Sequence, residues 1–292
     1  MHEKSGKASF RHIYDRQDPR EYFKTLGSMD YRIPDHGQRL FGALVERQRG
    51  TNEDPVNVVD VCCSYGINAA LLKHDVTLDN LYERYCSEEI GALSGDELAE
   101  GDAEYYAGRV REAAPRVTGL DVAENAVSYA LKAGLLDAGA TEDLENEQPS
   151  ETLRRAVSDA DLFTVSGGIG YISERTFGAL LDCVDRKPSP WVAALALRWV
   201  SYEEISGVLG GYGLVTEKLA GHTFEQRRFA DDAEQEYVCR ELRNMGVDTE
   251  GKEDEGSYHA EFYLSRPAEK VSESSVGELL APVLGGGGPV PV

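Results

Sequence analysis

Residues 58–70, Val-Val-Asp-Val-Cys-Cys-Ser-Tyr-Gly-Ile-Asn-Ala-Ala, decide the fold of this chain. A short apolar run ends at Asp60, passes through small residues to Gly66 and enters an Ala/Leu-rich segment. That order reads as a buried strand over 56–61, a tight turn and a helix from about 67 to 73. Such a turn gathers backbone N–H groups and a helix N-terminus around a ligand, at the carboxyl edge of a parallel sheet.

The same pattern recurs downstream. Residues 117–121 read as a second strand ending in Asp121, and Asp121-Val-Ala-Glu124 opens a helix over 125–136. Between the two strands, 75–115 is a polar, Tyr- and Glu-rich helical insertion, with a capping box at Ser94-Gly-Asp-Glu97. Residues 139–150 are polar and poorly patterned, so the third strand has no clear position. Asp161-Leu-Phe-Thr-Val-Ser-Gly-Gly-Ile-Gly-Tyr-Ile172 is a fourth strand running into a glycine-rich turn. A helix over 173–184 follows, then a continuous apolar strand over 191–199, suited to the middle of a sheet. Ser201-Tyr-Glu-Glu204 has the form of a capping box before a helix to 209, and 214–219 is a sixth strand. A helix over 230–245 and an alternating last strand over 258–265 complete the pattern. Upstream, Asp18 caps a helix with Pro19 in its first turn, Tyr31-Arg-Ile-Pro34 forces an extended break, and 35–49 is helical.

Taken together, these motifs resemble the class I S-adenosylmethionine-dependent methyltransferases over roughly residues 55–266. Asp60 takes the acidic position of the first motif and Gly66 its last glycine. Cys62 and Ser64 stand where the family has glycines, and a left-handed backbone there is strained in any other residue. The resemblance implies a Rossmann-like α/β fold: a seven-stranded, mostly parallel sheet with an antiparallel last strand, and helices on both faces. It implies S-adenosyl-L-methionine as cofactor, held by Asp60, Cys62, Ser64, Tyr65, Gly66 and Asn68 around the first turn. Asp121 would accept from the ribose hydroxyls, with Val122 beside it, and a carboxylate accepts two adjacent hydroxyls well. Asp121 as a plain helix cap is the bland alternative, and the two roles are compatible. Glu142 and Asp143 are candidates for the adenine amino group or simple loop acids. Ser166, Gly167 and Gly168 would border the methionine part of the cofactor. The division is then an N-terminal helical lid over 1–50, a catalytic domain over 51–267 and a flexible tail over 268–292. The N-terminal helices read equally as a packing pair.

Composition narrows the partners. The 292 residues carry a net charge of −22 with no long basic run, which disfavours nucleic acid. Only nine of thirty basic residues are lysine, a bias shared by high-salt hosts and high-GC genomes. No apolar run is long enough for a bilayer and no secretory signal is visible, so cytoplasm is expected. Five scattered cysteines suggest neither a disulfide framework nor a metal site; Cys62 and Cys63 read as small packing residues rather than a redox pair. A homodimer is compatible with the sequence.

Methyl transfer from a sulfonium is an in-line displacement, so positioning matters more than a catalytic triad. His222, beyond the sixth strand, and His36, in the lid, are the candidate bases. Tyr31, Tyr171, Arg198 and Trp199 are candidate substrate walls. Two rival readings remain: an NAD-dependent oxidoreductase, which would be expected to carry an uninterrupted G-x-G-x-x-G, and a non-catalytic cofactor-binding protein on the same fold.

Overall fold

The computed structural model describes residues 13–50, 54–185 and 188–285. Helices α1 (Arg20–Gly27) and α2 (Ile33–Arg49) precede β1 (Asn57–Val61). Next come α3 (Ile67–Lys73), then α4 (Leu78–Tyr85), α5 (Glu88–Gly91) and α6 (Gly95–Ala107), which form the insertion before β2 (Arg116–Leu120). After these follow α7 (Glu124–Lys132), β3 (Ala138–Ala140), α8 (Glu151–Val157), β4 (Leu162–Ser166), α9 (Glu174–Leu181) and β5 (Trp191–Leu197). The chain continues through α10 (Glu203–Gly211), β6 (Leu214–Lys218), β7 (Phe224–Arg228), α11 (Asp232–Asn244) and β8 (Ser257–Pro267). It closes with α12 (Ala268–Glu273) and α13 (Val276–Leu284).

Period-two alternation along β1 sends Val59 and Val61 into one hydrophobic layer and Val58 into the layer opposite. Every residue of β5 is buried, as a strand covered on both faces requires. The strand order is β3-β2-β1-β4-β5-β8-β6. β1 to β5 pair in parallel, whereas β8 runs antiparallel to both β5 and β6. This is the Rossmann-like sheet that the sequence implied, with its antiparallel strand wedged before β6. A dinucleotide-binding dehydrogenase sheet runs 3-2-1-4-5-6 without that wedge.

Three features depart from the sequence reading. β7 is an additional strand, pairing with the first half of β8 beyond the end of β5, so the described sheet has eight strands rather than seven. α2 begins at Ile33 with Pro34 in its first turn, so the proline starts the helix rather than breaking the chain. Residues 268–284, expected to be flexible, are two helices, and Val276 and Leu280 of α13 are buried in the main core against α2. A capping box at Ser275-Val-Gly-Glu278 starts α13. The Gly-rich end, 286–292, lies outside the described residues.

Because Leu280 is fully buried, Leu280→Ala is expected to cost roughly 2–4 kcal/mol of unfolding free energy in urea titrations. A loss near zero would show that α13 does not dock.

Candidate active site

The carboxyl ends of β1, β2 and β4 lie side by side at the sheet edge that the sequence pointed to. Asp60 pairs in register with Gly119 of β2 and Thr164 of β4, and Asp121 lies one residue past β2. One strand spacing and two residue rises put the two acids on the order of 8 Å apart at Cα.

The turn between them takes its shape against the preferences of its residues. Cys62, Ser64 and Gly66 have φ of 60°, 49° and 73°, all left-handed. Glycine adopts this region freely; Cys and Ser do so at a cost of about 1–2 kcal/mol each. The Ser64 N–H donates to Asp121 Oδ2 at 2.8 Å, while Asp121 Oδ1 accepts from Ala123 N–H at 3.0 Å. Asp121 therefore fastens the first turn to the second strand and holds the backbone of Ala123, the residue before α7. Burial pushes its carboxyl up, against the pull of these backbone donors. Gly168 offsets the side chain added at position 62: a Cβ there would lie 2.7 Å from Cys62 Sγ.

Asp60 is fully buried. Its Oδ1 accepts from Asn68 Nδ2 and Thr164 Oγ1, both at 2.9 Å, but its Oδ2 has no partner. Burial pushes its carboxyl up to about 7, with the Asn68 and Thr164 hydrogen bonds opposing. Asn68 also exchanges hydrogen bonds with Ser166 Oγ at 2.9 and 3.1 Å, tying the start of α3 to the tip of β4. Ser64 Oγ, likewise buried, is unpartnered. Two orphaned polar oxygens, one on the end of β1 and one on the turn after it, the former a carboxylate, fit a polar, positively charged ligand group.

A roof covers this edge. Tyr65 accepts from Arg16 N–H at 2.7 Å and donates to Ile13 O at 3.0 Å, and Asp15 accepts from Asn125 N–H at 2.8 Å. Segment 13–18 thus straps across the first turn to α7. Residues 29–32 run along β7, with Arg32 N–H donating to Gln226 O and Arg228 N–H to Met29 O, each at 2.7 Å. Above Gly167, whose φ is 78°, a Cβ would meet Tyr31 OH at 3.0 Å, Gln226 Nε2 at 3.5 Å and Ile33 at 4.0 Å. Tyr31, expected as a substrate wall, is thus at the β4 tip. Tyr171 stands exposed just beyond that turn. Gln226 had no sequence signal: Phe-Glu-Gln-Arg-Arg does not alternate in polarity, although Gln226 and Arg227 are both buried.

Other expected residues lie elsewhere or are already engaged. Tyr65 turns into the aromatic core rather than toward the crevice. Val122, beside Asp121, is 68% exposed. Glu142 and Asp143 do follow β3, but Glu142 accepts from Ser150 N–H and Oγ, and Asp143 from Glu145 N–H and Asn146. Both fold their own loop. Arg198 is paired with Glu253 at 2.5 Å and donates to Asp248 O, and Trp199 packs edge-on against Tyr237. These two hold the α11 region in place. His36 Nδ1 lies 2.7 Å from Arg39 Nη2 and its ring packs on Phe224. Burial, then Arg39, pushes it down to about 4, which leaves it a weak base. His222 is exposed in the turn joining β6 to β7. Four strand spacings separate β6 from β1, roughly 19 Å. The two histidines are therefore corrected to structural and surface positions. Among the described residues no cluster of side chains suits a metal ion.

No family model matches the chain, and no curated protein sequence matches it. It is similar to the magnesium protoporphyrin IX methyltransferase of Synechocystis PCC 6803 with bound SAM, at 12% identity, 90% and 88% coverage of the two chains and a TM-score of 0.38. It is also similar to a TehB-like SAM-dependent methyltransferase of Corynebacterium glutamicum, at 12% identity, 83% and 94% coverage and a TM-score of 0.41. A third similar structure is the [4+2]-cyclase SpnF, at 15% identity, 78% and 80% coverage and a TM-score of 0.38. Function has to be read from this chain's own residues.

Two outcomes follow from the geometry. Gly168→Ala is expected to lose about 1–3 kcal/mol through collision with Cys62; adding Cys62→Gly should recover most of it in the same urea titration, and strict additivity would refute the contact. For Asp60, the folded carboxyl titrates above its ordinary value of 3.8. Stability from this group is therefore full below about pH 4 and drains away as pH rises to about 7. Asp60→Asn should gain stability over the parent as pH goes from about 5 to 8, by up to roughly 4 kcal/mol. A pH-independent difference would show that Asp60 is ionised throughout.

Proposed function

We propose that the chain is an S-adenosylmethionine-dependent methyltransferase acting on a small molecule. The observation that carries this is the pair of acids at neighbouring strand tips, Asp60 with an orphaned oxygen and Asp121 bound to the strained turn between them. The wedge of β8 between β5 and β6 supports the reading over a dehydrogenase.

When bound, the cofactor supplies an electrophilic methyl on a cationic sulfonium. Asp60, through Oδ2, is the residue that would hold its ammonium group, and a positive charge there would draw the carboxyl into its ionised form. Asp121 keeps lone pairs for the ribose hydroxyls beyond the two it gives to Ser64 and Ala123. Val122, exposed beside Asp121, would offer an apolar surface to the adenine. Gly167, lacking Cβ, lets the main chain come close to the transferring methyl. Segment 13–18, the start of α2 and β7 act together as the lid that excludes water, extending the N-terminal lid (1–50) with a strand from the far end of the chain.

The acceptor is a small molecule rather than nucleic acid, in keeping with a net charge of −22. The free cysteines suit a reducing cytoplasm. No described helix is long and apolar enough to cross a membrane.

Calorimetry with S-adenosylhomocysteine tests the reading. Binding is expected to tighten as pH rises through about 7, and Asp121→Ala should weaken it about a hundred-fold, from the loss of two charged hydrogen bonds. Labelled cofactor incubated with cell extract should yield a labelled small molecule. Absence of both heat and label transfer would sink the assignment.

A further inference from the structure

Gln226 is a polar group in the roof that the fold leaves unsatisfied. It is 4% exposed, and its Oε1 has no hydrogen-bond partner. A buried amide oxygen without a partner is costly, and natural proteins rarely keep one without a use. Its backbone is held firmly: the Gln226 carbonyl accepts from Arg32 N–H at 2.7 Å, in the middle of β7. The neighbouring Arg227 is locked to Glu234 at 2.8 Å and lies over the Tyr258 ring. The strand that aims this side chain is therefore rigid.

The direction of aim is set by Gly167. Gln226 Nε2 and Tyr31 OH both approach the place where a Cβ at this residue would stand. That glycine follows Ser166 directly and is partly open to solvent. Tyr31 is a neutral phenol, since burial holds its hydroxyl well above the ordinary range. Two uncharged polar groups thus converge on the tip of β4, with Ile33 as an apolar wall.

We propose that Gln226 and Tyr31 form the acceptor subsite, which recognises a neutral hydroxyl or amine head on the molecule to be methylated. Such a head donates its hydrogen to Gln226 Oε1 and accepts from Nε2, filling both ends of the amide. An ether can only accept and leaves Oε1 unpaired. A carboxylate cannot donate and would bring an uncompensated charge beneath the roof. The reacting atom would then lie beside Gly167 at the tip of β4. This assignment rests on the methyltransferase reading for its chemistry, though not for the binding itself.

The test uses phenol, anisole and benzoate as probes in ligand-observed NMR, with and without S-adenosylhomocysteine. Phenol is expected to bind the parent protein roughly five-fold more tightly than anisole, the worth of one buried hydrogen bond, and benzoate not to bind. Gln226→Met should abolish the preference for phenol while leaving S-adenosylhomocysteine affinity unchanged. It should also unfold at or above the parent temperature, since it removes an unpaired oxygen at similar volume. Tyr31→Phe provides a second variant with a weaker loss of phenol. Equal binding of phenol and anisole, no binding of phenol, or a Gln226→Met protein that is destabilised would each overturn the subsite. Phenol selectivity retained without any S-adenosylhomocysteine binding would support the subsite and overturn the methyltransferase reading alone.

Discussion

The structure turns on one hydrogen bond, from the Ser64 N–H to Asp121 Oδ2. It joins the turn after β1 to the tip of β2, and it is available only because Cys62 and Ser64 take left-handed conformations. Neither residue favours that backbone, so the surroundings must hold it. A charged acceptor on a half-buried carboxylate is stronger than a neutral one, which is what a strained turn needs. Gly168 supplies the rest by vacating the space that Cys62 fills. Glycine has in effect moved from the first turn to the turn after β4, which leaves room for the Cys62 side chain.

The buried acid beside that turn has a different logic. Asp60 receives two hydrogen bonds on one oxygen and none on the other. A group meant only to support the fold would be satisfied on both sides, as Asp102 is, with Arg84, Tyr85 and Tyr129 around it. Asp60 is instead half-solvated by the protein, destabilising while charged and alone. Gln226 repeats the pattern in the roof. Asp60 Oδ2, Ser64 Oγ and Gln226 Oε1 are unpaired around this one edge, where a ligand would complete them, although Arg39 Nε, Trp199 Nε1 and Tyr202 OH are also buried without partners.

Much of this was legible in the sequence because apolar period and turn chemistry agree there. β1, β4 and β5 announce themselves as Val-, Ala- and Leu-rich runs, and α3 begins where Gly66 ends the turn. Asp60 and Asp121 could be placed because each closes or follows such a run. The misses have physical reasons. β3 is three small residues, Ala-Gly-Ala, too short to show a period. β7 buries Gln226 and Arg227 where a strand pattern calls for apolar residues, and Arg227 is tolerable there only through Glu234, seven positions on. α13 follows a polar stretch and precedes a glycine run, and that setting masked the amphipathic face holding Leu280. Histidine identity alone suggested His36 and His222 as bases; no local pattern could reveal Arg39 against one ring or the outer-edge position of the other.

The arginines bring the charge argument to its conclusion. In an acidic protein, any cation lining the crevice would advertise an anionic substrate. Arg32 is paired with Asp79, Arg198 with Glu253 and Arg227 with Glu234. The last two pairs are almost wholly buried, so their charges are cancelled before any ligand arrives and would be costly to free. These arginines bind the α4 insertion, the Glu253 turn and α11 to the rest of the roof. Asp60 remains the uncompensated charge of the crevice among these groups, and it is negative when ionised. An edge built this way attracts a cationic donor and tolerates a neutral acceptor; a second anion there would face Asp60 and Asp121 with these nearby arginines already spoken for.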